Sequence, residues 1–452
     1  MKRLGYIGYI LVVLMGSFLL LTTMFVTDKD ILGQLKKEIA QSEESLAVNL
    51  DSYLSKNFGF REELISLYTR IQTSIFKTSP VENVIYGENG YLFYKETADD
   101  YCKTNPMRER ELFNLSKTLE LMQEYVVAQD GTFVLLVAPN KNSLYDYMPY
   151  NYAKIDAPSN WDRLEEKLAS VNYVDAFAIF ESSKEELYYK TDSHWNDLGA
   201  YYVFEETMKV LGKEHVNRLE SGYEEACTMV GDLQRMLYPI AKLNENQIIW
   251  NVESTYEFLT NTRNFEQVYI ETNCEAAQGS LLMFRDSFAN NLIDHFGNVY
   301  EYGIFDKESA YNFFQMNTYQ ADTVILEIAE RNLVLIQEST PKFYAPERVE
   351  KDIFTDKANE ESVKGLADYL EWEKTEEGIF VKGYLNQEYA DVSTCFYVKV
   401  DGMLYELTPQ TIQENEYGFC GYLKEWKEDA SIELVVVSGN QMFTETIEVE
   451  IK

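Results

Sequence analysis

Three residues of the chain have the types and the spacing that acyl transfer by a serine nucleophile needs. Asp192 and His194 stand two residues apart in the segment TDSHW, and the chain contains only three histidines. A carboxylate beside a histidine can hold the ring in the tautomer that accepts a serine proton. Ser287, in LLMFRDSFANNL, lies between an apolar run and a predicted helix, where a nucleophile stands clear of a sheet edge. The pattern predicts a triad of Ser287, His194 and Asp192.

A purely structural role for the same residues stays open at this point. Asp192 would then cap the helix that begins near Asn196, and His194 would be an ordinary loop histidine. Spacing alone does not decide between the two interpretations.

Five segments, in order along the chain, resemble SGNH-hydrolase-like proteins of the alginate O-acetylation type, a group that includes the DHHW proteins. They are GENGYLFY (87–94), VAPNKNSLYDYMP (137–149), TDSHW (191–195), RDSF (285–288) and QADTVILEIAERNL (320–333). In that family the Asp-x-His motif precedes the serine motif, which reverses the order of ordinary SGNH esterases. The resemblance covers residues 55–345. It departs at Arg285, where the family usually has the glycine of Gly-Asp-Ser, and this departure bears on the oxyanion-hole geometry.

The resemblance implies an α/β fold with a permuted SGNH-like (flavodoxin-like) parallel sheet. It also implies an enzyme that moves an acetyl group onto hydroxyls of a secreted or cell-wall polysaccharide without a cofactor. The implied partner is a multi-span membrane acyltransferase that supplies the acetyl group. A polysaccharide acetyl esterase would have the same triad and would differ only in using water. A catalytically silent glycan-binding or assembly protein is the third hypothesis, and its motive is the missing glycine.

Four further residues are candidates for binding substrate or the oxyanion. Family placement puts Lys141 near the active face, although a surface lysine fits the sequence equally well. Trp195, beside the histidine, would either form the floor of a sugar site or be a buried aromatic. In ordinary SGNH enzymes an Asn after such a strand helps to bind the oxyanion, so Arg331 or Asn332 would act beside the Ser287 N–H. A structural ion pair is the competing role for Arg331.

Charge and composition argue against several classes of function. The 75 acidic residues outnumber the 40 basic ones and give a net charge of −35, whereas nucleic-acid binding needs Lys and Arg surfaces. No His/Cys cluster has zinc spacing and no P-loop or dinucleotide fingerprint occurs, so the sequence predicts neither a metal nor a cofactor. Five cysteines make no disulfide framework, and a Cys395–Cys420 pair stays open.

The N-terminal segment has the pattern of a membrane anchor. Residues Leu4–Val26 carry no charge, and this run exceeds the roughly 20 residues that span a bilayer. Lys2 and Arg3 precede it, and Asp28 and Asp30 follow it, which predicts a cytoplasmic N-terminus. We therefore expect a single-pass cell-membrane protein with most of its chain outside the cell. A cleaved signal peptide is the alternative.

Composition and periodicity divide the chain into five parts. They are a cytoplasmic tip and anchor (1–27), a helical stalk (28–80), an SGNH-like acyltransferase domain (81–345), a linker (346–366) and an all-β, sandwich-like domain (367–452). In the acyltransferase domain, apolar strands alternate with helices, which is typical of a parallel sheet. The predicted strands include 132–137, 281–284, 298–301 and 323–328, and the predicted helices include 111–129, 161–169, 197–211 and 289–296. Asp401-Gly402 predicts a hairpin in the C-terminal domain.

Overall fold

The computed structural model describes Lys37 and residues 60–262, 264–308, 310–354, 359–424 and 430–449. The predicted anchor, and the predicted stalk before residue 60 apart from Lys37, lie outside the described residues. Within the described ranges, no helix combines the length and the apolar character that crossing a membrane requires.

The chain divides into two compact units, and the described part of the first contains Lys37 and residues 60–95, 190–192 and 229–245. Its elements are a helix (Arg61–Ile71), a π-helix (Gln72–Phe76), strands β1 (Val84–Tyr86) and β2 (Leu92–Tyr94) and a helix (Asp232–Leu237). The two strands pair antiparallel, and Val84, Leu92, Leu233 and Leu237 form the buried core of this unit. In the turn between the strands, Asn89 and Gly90 have φ values of 54° and 82°, a left-handed conformation that both residue types tolerate.

The second unit contains residues 96–189, 193–228 and 246–452 and is built on a seven-stranded sheet of order β4-β3-β11-β9-β10-β8-β7. The strands are β3 (Thr132–Ala138), β4 (Tyr173–Val174), β7 (Glu257–Phe258), β8 (Tyr269–Asn273), β9 (Ser280–Phe284), β10 (Tyr302–Asp306) and β11 (Thr323–Ala329). Neighbours from β4 to β10 are parallel, whereas β8 runs antiparallel to both β10 and β7. A separate two-stranded sheet contains β5 (Tyr223–Met229) and β6 (Glu245–Trp250).

The parallel strands have a permuted flavodoxin-like order. Counted along the chain from β9, through β10 and β11, and then from β3 to β4, their spatial order is 2-1-3-4-5. That is the order of the flavodoxin-like sheet. Since the chain enters this sheet at the fourth strand, the topology is a circular permutation of the ordinary one.

Both faces of this sheet are buried, as parallel sheets usually are. Successive residues of β3 alternate between two apolar cores, with Phe133 and Leu135 in one and Val134 and Leu136 in the other. The helices on the first face are Glu109–Val127, Asn160–Glu165 and Gln315–Tyr319, and those on the second are Ala176–Ser182, Asp197–Leu211 and Ile293–Gly297. Short helices at Ala98–Cys102, Lys141–Leu144 and Arg218–Ser221 complete this part of the fold.

The predicted α/β class with a parallel sheet is confirmed, although two predicted elements are wrong in detail. Residues 298–301, predicted as a strand, precede β10 and are not part of it. The helix predicted at 289–296 is a 3-10 turn (Phe288–Asn291) followed by the short helix Ile293–Gly297. The helix predicted at 197–211 has the predicted bounds, because the Asn196 side chain caps its start and Gly212, with φ of 63°, ends it.

The C-terminal region is β-rich, as predicted. Its sheet has the order β13-β20-β19-β16-β17-β18-β15-β14, and β12 also pairs with β17. The strands are β12 (Glu347–Arg348), β13 (Glu360–Ser362), β14 (Ala367–Lys374), β15 (Ile379–Leu385), β16 (Cys395–Val400), β17 (Met403–Ile412), β18 (Asn415–Leu423), β19 (Ile432–Ser438) and β20 (Gln441–Thr446). The first half of β17 pairs with β16 and its second half pairs with β18. This strand therefore belongs to both halves of the sheet and connects them. The predicted hairpin at Asp401-Gly402 joins β16 to β17.

The predicted linker contains short elements where it is described, namely β12, a helical turn (Glu350–Ile353) and β13. All five cysteines are free, so Cys395 and Cys420 do not pair.

The helix Glu109–Val127 is buried on two sides, and one of those sides is polar. Its leucines at 112, 115 and 119 face the core of the parallel sheet. Arg110, Asn114 and Thr118, spaced by four residues, instead bond to main-chain oxygens of the C-terminal strands and their loops. Asn114 donates to the Glu416 carbonyl at 2.8 Å, and Thr118 donates to the Pro409 carbonyl at 3.0 Å.

Arg110 is the most heavily bonded member of this polar stripe. Its guanidinium donates to the carbonyls of Thr394 at 2.8 Å, Val392 at 3.1 Å and Glu416 at 3.3 Å, and the residue is only 2% exposed. Burial lowers the pKa of Arg110 to about 10, which still leaves it charged at neutral pH. The charge is therefore stabilised by carbonyl dipoles and by the neighbouring Tyr417 ring, whose centroid lies 4.9 Å away.

We expect Arg110→Met to lower the free energy of unfolding by about 2–4 kcal/mol, because three carbonyls lose a charged donor in a buried place. Urea titration followed by circular dichroism measures the change. Arg108→Met is the matched control, since the Arg108 side chain is 61% exposed and pairs with the Glu111 and Glu416 carboxylates, which are each 19% exposed. The control should cost less than about 1 kcal/mol. Equal losses in the two variants would contradict a structural role for the buried guanidinium.

Candidate active site

The candidate residues follow two adjacent strands at the point where the strand order reverses. Ligands of open α/β sheets bind beyond the carboxyl ends of the strands at this switch point. In the sheet of this chain it lies between β9 and β11. The segment 285–287 follows β9 and the segment 330–332 follows β11, so Ser287, Arg331 and Asn332 meet at one edge of the sheet.

The turn that carries Ser287 is fixed by the carboxylate of Asp286. Oδ1 accepts a hydrogen bond from the Phe288 N–H at 2.8 Å, which closes the turn. Oδ2 accepts from the Ala329 N–H at 2.8 Å and from the Asn332 amide at 3.3 Å. One side chain therefore joins the end of β9 to the end of β11.

A second carboxyl group, Glu327, lies beneath this turn within β11. Its Oε2 accepts from the Asp286 N–H at 2.9 Å, and the side chain is fully enclosed among apolar residues. Burial, together with the adjacent charge of Asp286, holds the pKa of Glu327 well above its usual value. The protonated form of Glu327 is therefore favoured relative to an exposed glutamate.

The structure brings His194 and Ser287 together. The His194 Nε2 and the Ser287 Oγ lie 2.8 Å apart, within hydrogen-bond distance for a base and its nucleophile. The imidazole also packs on the Phe288 ring, with the two centroids 4.8 Å apart. Its Nδ1 lies 3.3 Å from the Ser193 hydroxyl.

Trp195 holds the histidine segment against the serine turn. Its indole N–H donates to the Phe288 carbonyl at 2.9 Å, and its side chain is fully buried. Of the two roles that the sequence left open for this residue, burial in the core is the one observed, and no face of the ring is available to a sugar. The bond joins the residue after His194 to the residue after Ser287.

Asp192 belongs to the first compact unit, where its Oδ2 accepts from the Asp232 N–H at 2.8 Å. It is 6% exposed. Because only Ser193 separates it from His194 in the chain, the Cα atoms of Asp192 and His194 are at most about 7 Å apart.

The Arg285 side chain is buried and is held by several hydrogen bonds. Its guanidinium donates to the Asn290 side chain at 2.8 Å and to the carbonyls of Phe265 at 3.1 Å and Gln267 at 2.6 Å. Its guanidinium also lies 3.4 Å from the Asp286 carbonyl oxygen, so this side chain contacts the serine turn itself. Within the described part of the chain, the Ser287 N–H donates to no other group, so it is available to an incoming oxyanion.

Three further candidates, Arg331, Asn332 and Lys141, have different surroundings. Arg331 has its Cζ 5.3 Å from the centroid of the Phe288 ring, and Asn332 bonds to Asp286 as described above. Lys141 is buried and donates to the Tyr189 carbonyl at 3.1 Å, so it is not the surface lysine that the sequence allowed.

Three carboxyl groups of this region escaped the sequence analysis, and each had a signal. Asp286 stands in the serine motif itself, and Glu327 interrupts the apolar strand TVILEIA. Glu330 ends the same strand and is buried, with its Oε2 accepting from the Asn140 N–H at 2.8 Å and from the Ser143 hydroxyl at 2.7 Å. A lone carboxylate in an apolar run is rarely buried without hydrogen-bond partners, and that rule points to all three.

Part of the chain matches a known family. Residues 84–255 match a family model described as the SGNH hydrolase-like domain of the acetyltransferase AlgX. The match includes Asp192 and His194 and ends before Ser287. It confirms the resemblance predicted from the sequence. No curated protein is significantly similar to the chain.

Solved structures with related folds have low sequence identity to the chain. A DHHW family protein from Eubacterium siraeum is 15% identical, with a TM-score of 0.42, and the match covers 51% of this chain and 90% of that one. Bacillus cereus PatB1, with a sulfonyl adduct, is 16% identical, with a TM-score of 0.43 and coverage of 56% and 97%. Pseudomonas aeruginosa AlgX is 12% identical, with a TM-score of 0.36 and coverage of 80% and 90%. None is similar enough to indicate a shared activity.

The buried carboxyl group of Glu330 generates a pH-dependent prediction. Burial raises its pKa to about 7 from a usual value of 4.5. Between these two pH values the folded protein binds a proton that the unfolded chain has lost, so this group makes stability fall as pH rises through the window. We expect Glu330→Gln, which keeps the accepting oxygen, to be more stable than the wild type above pH 7 by as much as about 3 kcal/mol, and to lose that advantage below pH 4.5.

Chemical denaturation of both proteins at several pH values measures this difference. Ser143→Ala removes a donor that lowers the Glu330 pKa, and it should move the upper end of the window to higher pH. A difference between Glu330→Gln and the wild type that stays constant across the window would contradict the assignment.

Proposed function

Since residues 84–255 have the SGNH hydrolase-like domain of the acetyltransferase AlgX family, we propose that this chain is an O-acetyltransferase acting on a polysaccharide. The single observation that carries the proposal is the distance of 2.8 Å between His194 Nε2 and Ser287 Oγ at the switch point of the sheet. A serine and a histidine so placed can form an acyl-enzyme intermediate.

In the first half-reaction, the Ser287 Oγ attacks the carbonyl carbon of the acetyl donor while His194 Nε2 takes the hydroxyl proton. The negative charge that develops on the carbonyl oxygen needs fixed donors. The Ser287 N–H is one, and Arg331 or Asn332 is the candidate for the second. When the tetrahedral intermediate collapses, His194 returns the proton to the leaving oxygen, and the acetyl group remains on Ser287.

Asp192 is the proposed third member of the triad. A carboxylate at this position would hold His194 in the tautomer whose Nε2 accepts a proton, and it would stabilise the imidazolium that forms. The support for this role is the single residue that separates Asp192 from His194, together with the burial of its carboxylate.

In the second half-reaction, a sugar hydroxyl gives its proton to His194 and attacks the acetyl carbon. The bond between the acetyl carbon and the Ser287 Oγ then breaks, and His194 returns the proton to that oxygen. Water in place of the sugar would make the protein an esterase. Transfer to a polysaccharide requires a supply of acetyl groups, for which we propose a multi-span membrane acyltransferase as the partner. The charge-free segment Leu4–Val26 supports an anchored chain with the catalytic domain outside the cell.

The catalytically silent hypothesis has less support than it had on sequence alone. Its motive was the arginine at 285, but the Arg285 guanidinium bonds to Phe265, Gln267 and Asn290, and among the described residues the Ser287 N–H has no other acceptor. A glycan-binding role without catalysis would also leave the short His194–Ser287 distance without a purpose.

We expect incubation with p-nitrophenyl acetate to add one acetyl group to Ser287, detected by intact mass and located by peptide mapping. Ser287→Ala should form no adduct, and His194→Ala should form almost none because no other base takes the proton. Asp192→Asn should keep the fold and lose about 10⁴-fold in rate through the wrong histidine tautomer.

Ser280→Ala is the matched control, because Ser280 begins the strand that Ser287 follows. It should acylate like the wild type. An acetyl group on another residue, or full acylation of the Ser287→Ala variant, would contradict the assignment of Ser287 as the nucleophile.

The acceptor distinguishes transferase from esterase. The acylated protein is mixed with neutral oligosaccharides, and acetylated sugar and free acetate are both quantified. A transferase should yield acetylated sugar in proportion to acceptor concentration. Release of acetate at one rate, whatever the acceptor, would favour the esterase.

A further inference from the structure

A cavity of about 740 Å³ lies in the unit that contains the seven-stranded sheet. Neither His194 nor Ser287 lines it. It opens where the helix Asp197–Leu211 ends, whereas His194 precedes the start of that helix. The lining reaches back along this helix as far as Phe204, which is the eighth of its 15 residues. Its polar lining includes Lys213, Arg218, Glu253, Thr255, Gln278 and His295.

His295 is the feature of this cavity that the rest of the fold does not explain. The residue is 3% exposed, and its ring stacks on Phe204, with the centroids 5.1 Å apart. Within the described residues, its buried Nδ1 has no hydrogen-bond partner. Burial, and then the nearby Arg218, lower the pKa of His295 to about 3, so the ring is neutral and can both donate and accept.

The charges around the cavity leave no positive excess. Lys213 and Arg218 contribute two positive charges, and Glu214 and Glu253 contribute two negative ones. Arg218 is in addition paired with the Asp294 carboxylate. With the Asp294 carboxylate the negative groups outnumber the positive ones by one, so the lining has no positive excess with which to attract a phosphate or a carboxylate, and it favours a ligand without negative charge.

The polar groups suit a ligand whose own groups both donate and accept. The Lys213 ammonium uses one hydrogen bond on the Gln278 carbonyl at 3.3 Å and stands 3.9 Å from the centroid of the Tyr300 ring, which leaves it further donors. Glu253 offers acceptors, and the Gln278 amide offers both. Val216, Val252 and Val299 add apolar surface between these groups. Hydroxyl groups on an apolar ring match this mixture.

We propose that this cavity is a binding site for a neutral saccharide unit, separate from the site of chemistry. The inference does not depend on the proposed acetyl transfer, since it concerns only what the cavity binds. If both are right, the cavity holds one part of a polysaccharide while another part reaches Ser287, and it would favour polymeric over short acceptors.

Trp250 is a built-in reporter for the test, because its ring lies 5.8 Å from the His295 ring. The fluorescence of the whole protein is titrated with the methyl glycosides of glucose, galactose and mannose and with N-acetylglucosamine, and with inorganic phosphate and glucuronate for comparison. We expect a saturable change with at least one neutral sugar, in the millimolar range, and none with phosphate. Trp250→Phe should lose the signal.

Two variants test the lining. Lys213→Ala and His295→Leu should each weaken binding of that sugar about ten-fold or more. Lys213 is only half-buried, so its variant keeps the test valid if His295→Leu fails to fold. Ser287→Ala should bind the sugar like the wild type, which separates this inference from the proposed catalysis. The proposal is overturned if no neutral sugar gives a saturable change, if phosphate binds instead, or if both lining variants bind normally.

Discussion

The carboxylate of Asp286 is the constraint on which the candidate site depends. It accepts main-chain N–H groups from both sides of the switch point, from Phe288 after β9 and from Ala329 at the end of β11. The nucleophile turn therefore cannot move relative to the neighbouring strand without breaking charge-assisted hydrogen bonds. The Asp286 N–H is held in turn by Glu327, whose burial raises the pKa of its carboxyl group. Preorganisation of the Ser287 N–H follows from these bonds.

Sequence periodicity was sufficient for the α/β sheet because its strands are apolar on both faces. The runs at 132–137, 281–284 and 323–328 are strands within one or two residues of the predicted bounds. The run at 298–301 was misleading because Tyr300, although buried in the core, belongs to the turn and not to a ladder. Apolar character reports burial and not hydrogen bonding, so a short run of this kind cannot be assigned from pattern alone.

The candidate site was predictable where a motif names the residues, and less so where long-range contacts define it. His194 and Ser287 are 93 positions apart and lie side by side, as their motifs indicate. Of the carboxyl groups that support the serine turn, Asp286 stands in the serine motif but Glu327 has no motif, and nothing local says whether a glutamate in a strand is buried. The same limit applies to Arg110, Asn114 and Thr118, whose polar side chains fit a solvated helix face equally well until the C-terminal strands cover them.

The permuted strand order has a consequence for how the chain is made. The central strand β11 separates β3 from β9, yet it is the last of the five parallel strands in the sequence. As the polypeptide leaves the ribosome, β3 and β9 must each wait with an unpaired edge until residues 323–329 emerge. Such edges invite pairing with other chains. The sheet therefore forms late in synthesis. A chain truncated before residue 323 would not form a smaller stable domain, because the unpaired edges of β3 and β9 would stay exposed.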